Sequence, residues 1–207
     1  MRFAHMARRQ LRSMGASMRM IVPGLLSILL LVSSWSSRAN ALELETMVPD
    51  HVGLTVQKSP VLYFFISHGT SFPIRFTLHD SHTIRPVAEV LLKSPIAPGI
   101  QEIRLKDYNV VLELDVEYRW YIAAVQNPDS SSRDIVAGGT IERVDPYRVN
   151  YYGRSCDKDA VRLLREAGIW YDAFACVMEL IETNPQDRTL RDIRNELLGR
   201  KNLLYFP

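Results

Sequence analysis

The chain has 207 residues, of which 25 are basic and 23 acidic, giving a net charge of +2 with histidine neutral. Six of the bases (Arg2, Arg8, Arg9, Arg12, Arg19 and Arg38) fall in the first 41 positions, which hold no acid, so the other 166 residues carry 19 bases against 23 acids, a net −4. That balance excludes a basic footprint for nucleic acid on the body of the chain, and its length suffices for one sizeable core or two small ones.

Residues 1–41 read as a signal peptide. A basic start is followed by the apolar run 21–32 and then by Ala39-Asn40-Ala41. Charged, apolar and small-residue regions in that order are the parts of a secretory signal, with cleavage expected after Ala41. The apolar run is shorter than the about 20 residues of a membrane span, so no stable span is expected after cleavage. An uncleaved signal anchor is the competing reading. Arg8-Arg9 hints at twin-arginine export without deciding against the general route, and Met14 or Met18 would serve equally as the start. The expected location is periplasmic or secreted.

Residues 42–48 alternate apolar and acidic positions and stop at Pro49, the pattern of an edge strand. Asp50 to Gly53 is a turn. Residues 61–66 are apolar on both faces, which predicts a strand covered on both sides. Leu62, Phe64 and Ile66 face one layer, and Tyr63 and Phe65 the other. Further strands are expected at 74–78, at 84–92 with an interruption at Pro86, and at 100–105. Pro and Gly turns between short strands argue for an antiparallel sandwich.

The clearest β signal is 116–144, two strand-like arms around a polar loop at 126–132. Leu112, six residues before Tyr118, fits a tyrosine corner, with the phenol bonding to the chain upstream. Tyr118, Trp120 and Ile122 then point inward, and Arg119, Tyr121 and Ala123 outward. Gly138-Gly139 predicts a bulge or a close backbone approach.

Asp145-Pro146 ends the sheet, and 147–154 is a linker. Helical spacing follows. Ser155 or Asp157 caps a first helix that Gly168 stops. A second runs from 169 to 183 and ends at Asn184-Pro185. Asp187 caps a third, closed by Gly199. The apolar tail at 203–206 is expected to dock. Cys156 and Cys176 either form a disulfide, in an oxidising compartment, or sit as two small buried residues on neighbouring helices, the reading preferred on sequence alone.

Gly168, Trp170, Ala173 and Pro185 resemble the second helix of a single tetratricopeptide repeat. Val48-Pro49, the run 118–121, Gly139 with Arg143, and Ala167 to Ala173 with Asn184-Pro185 together resemble the secreted bacterial family known as domain of unknown function 928. That family carries no established activity. The resemblance therefore implies architecture and export, not chemistry.

Chemistry-bearing clusters are sparse. His79-x-x-His82 with Asp80 between is the best metal-like group, but no third nitrogen or sulfur ligand is near in sequence. Ser67-His68 puts a hydroxyl next to a histidine, but adjacent residues in a strand-loop are not expected to face each other, and no G-x-S-x-G elbow exists. No glycine-rich phosphate loop is present. Arg119 and Arg143, on the two arms of the hairpin, can lie side by side as a patch for an acidic partner, or belong to a solvated sheet face balanced by Glu117 and Glu142, the reading preferred on sequence alone. Tyr63, Phe65 and Tyr121 are expected on the outer side of the sandwich, where exposed aromatics mark interfaces, with the Trp170/Phe174 helical layer as the simplest internal partner.

The resulting expectation is an α+β chain: an immunoglobulin-like antiparallel β-sandwich at 42–146 and a three-helix tetratricopeptide-like cap at 155–207. It is expected to be a non-catalytic binding or adaptor module for an envelope protein, with no cofactor. Arg119, Tyr121, Arg143, Tyr63 and Phe65 form its candidate surface, and Tyr118, Trp120, Gly168, Trp170, Ala173 and Pro185 are structural. The alternatives are a metal-dependent or hydrolytic periplasmic enzyme built on His79, Asp80 and His82, and a structural protein that self-associates into a homo-oligomer.

Overall fold

Residues 42–126, 134–148 and 155–199 are described by a computed structural model. The expected signal peptide, the hairpin loop, most of the linker and the apolar tail lie outside the described residues.

Strands come first and helices last, an α+β order. One sheet has the order β1-β3-β6, from β1 (Leu44–Met47), β3 (Val61–Ile66) and β6 (Gly99–Arg104). The other has the order β2-β8-β7-β4-β5, from β2 (Gly53–Thr55), β4 (Ile74–Asp80), β5 (Ala88–Leu92), β7 (Glu117–Ala124) and β8 (Ile135–Arg143). The unbroken apolar run of β3 takes the central position of its sheet, because only there are both faces covered. The alternating β4 and β7 sit inside the larger sheet, each with one buried face. Thr46 of β1 donates its hydroxyl to the Gly138 carbonyl of β8 at 2.7 Å, tying one sheet to the other.

Four features depart from the sequence reading. Gly53, read as part of a turn, begins β2, which pairs in parallel with β8, so the larger sheet is mixed. The strand expected from residue 84 starts only at Ala88: Pro86 offers no N–H to a ladder, and Ile84 is 98 % exposed. The strand expected through Leu105 ends at Arg104, and residues 105–108 form a tight 3-10 turn closed by Asn109 at φ 56°. Cys156 and Cys176 are joined by a disulfide, with their Cα atoms 5.5 Å apart, which corrects the preference for two separate thiols.

The pairing of β7 with β8 is continuous from Glu117↔Glu142 to Ala124↔Ile135, so the glycine pair makes no bulge. It serves close approach instead. A Cβ at Gly138 would lie 2.6 Å from the Tyr121 ring, and one at Gly139 would collide with Val48. At the start of β7 the Tyr118 hydroxyl accepts from the Glu113 N–H at 3.1 Å, the bond of a tyrosine corner.

Helix α1 (Lys158–Glu166) is capped by Asp157, whose carboxylate accepts from the Ala160 N–H at 2.7 Å. Gly168, at φ +76°, reverses the chain into α2 (Trp170–Thr183). Asp187 caps α3 (Arg188–Leu197). The first turns of α2 are buried nearly all round, from Trp170 to Phe174, because the helix lies between the β part and its sister helices. Trp170 stacks on Phe174 at 4.9 Å and donates its indole N–H to the Leu197 carbonyl. Phe174 in turn meets Tyr63 edge-on at 5.4 Å. Sheets and helices thus share one buried core.

Candidate functional site

The register of the larger sheet sorts its side chains. Phe76, Leu78, Trp120, Ile122 and Ile141 face the core. The opposite face is built from cross-strand rows. One is Leu91–Arg75–Ala123–Val136, the next Glu89–Thr77–Tyr121–Gly138, and the last His79–Arg119–Thr140. Tyr121 is 39 % exposed and Val136 and Leu91 more so, so the face keeps apolar surface in water.

A hollow of about 380 Å³ opens at one end of this face, lined by His79, Asp80, Ser81, Thr83, Arg119 and Tyr121. The His79 ring meets Tyr121 edge-on at 6.2 Å. Arg119 pairs with Glu117 at 3.5 Å across an exposed surface, where such pairs contribute little. Asp80 is committed to its own turn, accepting from the His82 and Thr83 backbone N–H groups at 2.8 and 2.6 Å. Desolvation is the largest single influence on its carboxyl and raises it, but the bonds from His82 and Thr83 and the nearby His82 ring together outweigh it and leave the group below the usual carboxylate range. The hollow offers a phenol, a guanidinium, an imidazole and two aliphatic hydroxyls beside the Asp80 carboxylate, a mixed set suited to holding a polar surface.

The five residues expected to form one interaction surface are separated. Arg119 and Tyr121 lie on the outer face. Arg143 does not: β8 alternates, and Arg143 shares the parity of the buried Ile141, opposite Arg119 and Thr140. Its guanidinium donates to the Leu112 carbonyl at 3.0 Å, and its Nε is buried without a hydrogen-bond partner among the described residues. It braces the corner that Tyr118 closes. Tyr63 and Phe65 are 8 % and 9 % exposed, covered from within the chain, so neither belongs to an open surface.

Among the structural candidates, Trp120 and Ala173 are fully buried, Tyr118 and Trp170 nearly so, and Pro185 is exposed in the turn after α2. His82 is exposed beyond the turn, and no group of three His, Cys, Asp or Glu side chains able to hold a metal occurs among the described residues. Ser67 and His68, adjacent and expected not to meet, do touch: Oγ and Nδ1 are 2.8 Å apart. The Ser67 oxygen also accepts from the Glu43 N–H, which makes it a cap for β1.

The sequence reading passed over Asp172. It stands third in α2, 8 % exposed, between the helix and the segment after β2. Oδ2 accepts from the Val56 N–H at 3.3 Å, and Oδ1 is buried with no partner among the described residues. Burial pushes the carboxyl up to about 6, against a smaller opposing pull from the Thr55 hydroxyl, the Val56 amide and the Gln57 side chain. A second hollow, of about 230 Å³, lies beside it. The available signal was an acid set within the apolar stretch Ile169 to Phe174.

A protein-family model described as Domain of Unknown Function (DUF928) matches residues 32–205. No curated protein matches the chain.

Proposed function

The chain belongs to the DUF928 family, and on that footing we propose that it is a non-catalytic protein-binding or adaptor module of the bacterial cell envelope, exported by the leader at 1–41. The observation that carries the reading is the open outer face of the five-stranded sheet. There Tyr121, leaning across Gly138, stands exposed beside Arg119 and a polar hollow. Exposed aromatic and guanidinium groups are the usual anchors of an interface. The disulfide supports an oxidising compartment.

The finer architecture we propose is an immunoglobulin-like sandwich carrying a tetratricopeptide-like cap. The Tyr118–Glu113 bond supports the first part. The Gly168 turn, with Trp170 and Ala173 packed behind it, supports the second. Both are modules used for interaction on many proteins, which is an argument by analogy.

The test is co-purification from envelope extracts after mild crosslinking, run with the parent chain and with an Arg119→Ala/Tyr121→Ala double variant. A protein captured by the parent and lost from the variant is the expected result; identical capture by both would sink the reading. The exposed Leu91 and Val136, at the two ends of the row through Arg75 and Ala123, favour self-association as a second reading. A solution mass that rises with concentration, and stays at the monomer in Val136→Lys, would select it.

A further inference from the structure

The hollow beside Asp172 is independent of the sheet face. Gln57 and Ser59 come from the segment after β2, Asp172 and Glu179 from α2, and the Cys156–Cys176 disulfide forms part of the wall. Among the described residues, no lysine, arginine or histidine lines it.

Asp172 has a structural role as a clasp, since it accepts one bond from the Val56 N–H. That role does not explain its charge. An asparagine would accept the same bond without burying a carboxylate, and burial of an unpaired charge is costly. The bond at 3.3 Å is long and uses only one oxygen, while Oδ1 has no partner among the described residues. Glu179 is seven residues further along the same helix. Seven residues advance it by about 10 Å and return it to nearly the same face. One buried and one exposed carboxylate therefore line the same hollow, at its inner end and its mouth. Groups of this kind, perturbed and poised beside a cavity, mark functional sites.

We propose that this hollow receives a cationic group, an ammonium or guanidinium on a slim aliphatic stem, with Asp172 Oδ1 as the inner counter-ion and Glu179 at the mouth. Its volume of about 230 Å³ suits one such chain, below the roughly 300–1,000 Å³ of sites for larger ligands. The apolar wall of Pro60, Val61 and Ala175 suits the methylenes, as buried stems under charged heads do elsewhere. Gln57 is exposed and lines the same hollow, so it is the side chain that swings aside on entry.

The ammonium can come from a free diamine or from a partner's lysine. Calorimetric titration of the purified protein at pH 7.5 with 1,5-diaminopentane, Nα-acetyl-lysine methylamide and 1,5-pentanediol separates these. Binding of an amine, but not of the diol, is expected, at least tenfold weaker in Asp172→Asn and severalfold weaker in Glu179→Gln. A tighter diamine assigns a free ligand, and a tighter lysine derivative assigns a partner's side chain. No binding of either amine, equal binding of the diol, or unchanged affinity in both variants overturns the proposal. Glu179 is exposed, so its variant reports on the site even if Asp172→Asn perturbs folding.

Discussion

The indole N–H of Trp120 donates to the hydroxyl of Tyr171 at 2.9 Å, and that hydroxyl donates in turn to the Thr140 carbonyl at 2.9 Å. One phenol from α2 thereby satisfies two buried groups on neighbouring strands. The ring passes so close to Gly53 that any side chain there would collide with it.

Tyr171→Phe keeps the ring and removes the hydroxyl, leaving the Trp120 N–H and the Thr140 carbonyl each short of this partner. A buried group left unpaired costs about 1–3 kcal/mol. The expected result is a loss of that size in the denaturant midpoint with an unchanged slope, together with a shift in Trp120 fluorescence.

Gly139→Ala should destabilise by about 1–3 kcal/mol, because the added methyl overpacks a filled core. It would meet Val48 and the Trp120 indole nitrogen. Pairing it with Val48→Ala should recover part of the loss, which thermal melts of the two single variants and the double variant will show.

Asp172 sets a pH dependence of unusual sign. Its carboxyl titrates near 6 in the folded chain, above its ordinary 3.8. Between those values the folded state holds a proton that the unfolded state releases, so stability declines as pH rises from about 4 to 6. At pH 7 the ionised group costs on the order of 3 kcal/mol. Asp172→Asn should therefore be more stable than the parent at pH 7, with the gap closing towards pH 4. A gap constant across that range would contradict the assignment.

The Cys156–Cys176 bridge closes a loop of 20 residues. A cross-link of that span is worth about 3 kcal/mol through the entropy of the unfolded chain. Reduction, or Cys156→Ser, should lower the melting temperature accordingly, and reductant should have no further effect on the variant.

Much of the β part was legible from alternation. The inward set Tyr118, Trp120 and Ile122 follows from period two alone, and so do the two covered faces of β3. Which residue of β8 stands opposite Arg119 does not follow, because the loop between the arms sets the register. A one-residue change in register moves every side chain to the other face. For that reason alternation alone leaves the side of Arg143 open, and the register of β8 puts it on the buried side, away from Arg119. β2 was missed because three residues carry no period, and its parallel partner lies far along the chain. Helix bounds were readable from Asp157, Gly168 and Asp187, whose capping chemistry is local. Asp172 was not, since its meaning depends on Val56, 116 positions earlier.

That distance has a kinetic side. Thr46 reaches Gly138 across 92 positions, Trp120 reaches Tyr171 across 51, and Val56 reaches Asp172 across 116. Each bond closes a long loop before it returns any energy, so high contact order makes the chain a slow folder. Until α2 has been synthesised, Tyr63 lacks the Phe174 ring packed against it and the Trp120 indole has no acceptor on Tyr171. A nascent chain lacking its last forty residues is left with an unfinished core, open to chaperones and proteases alike.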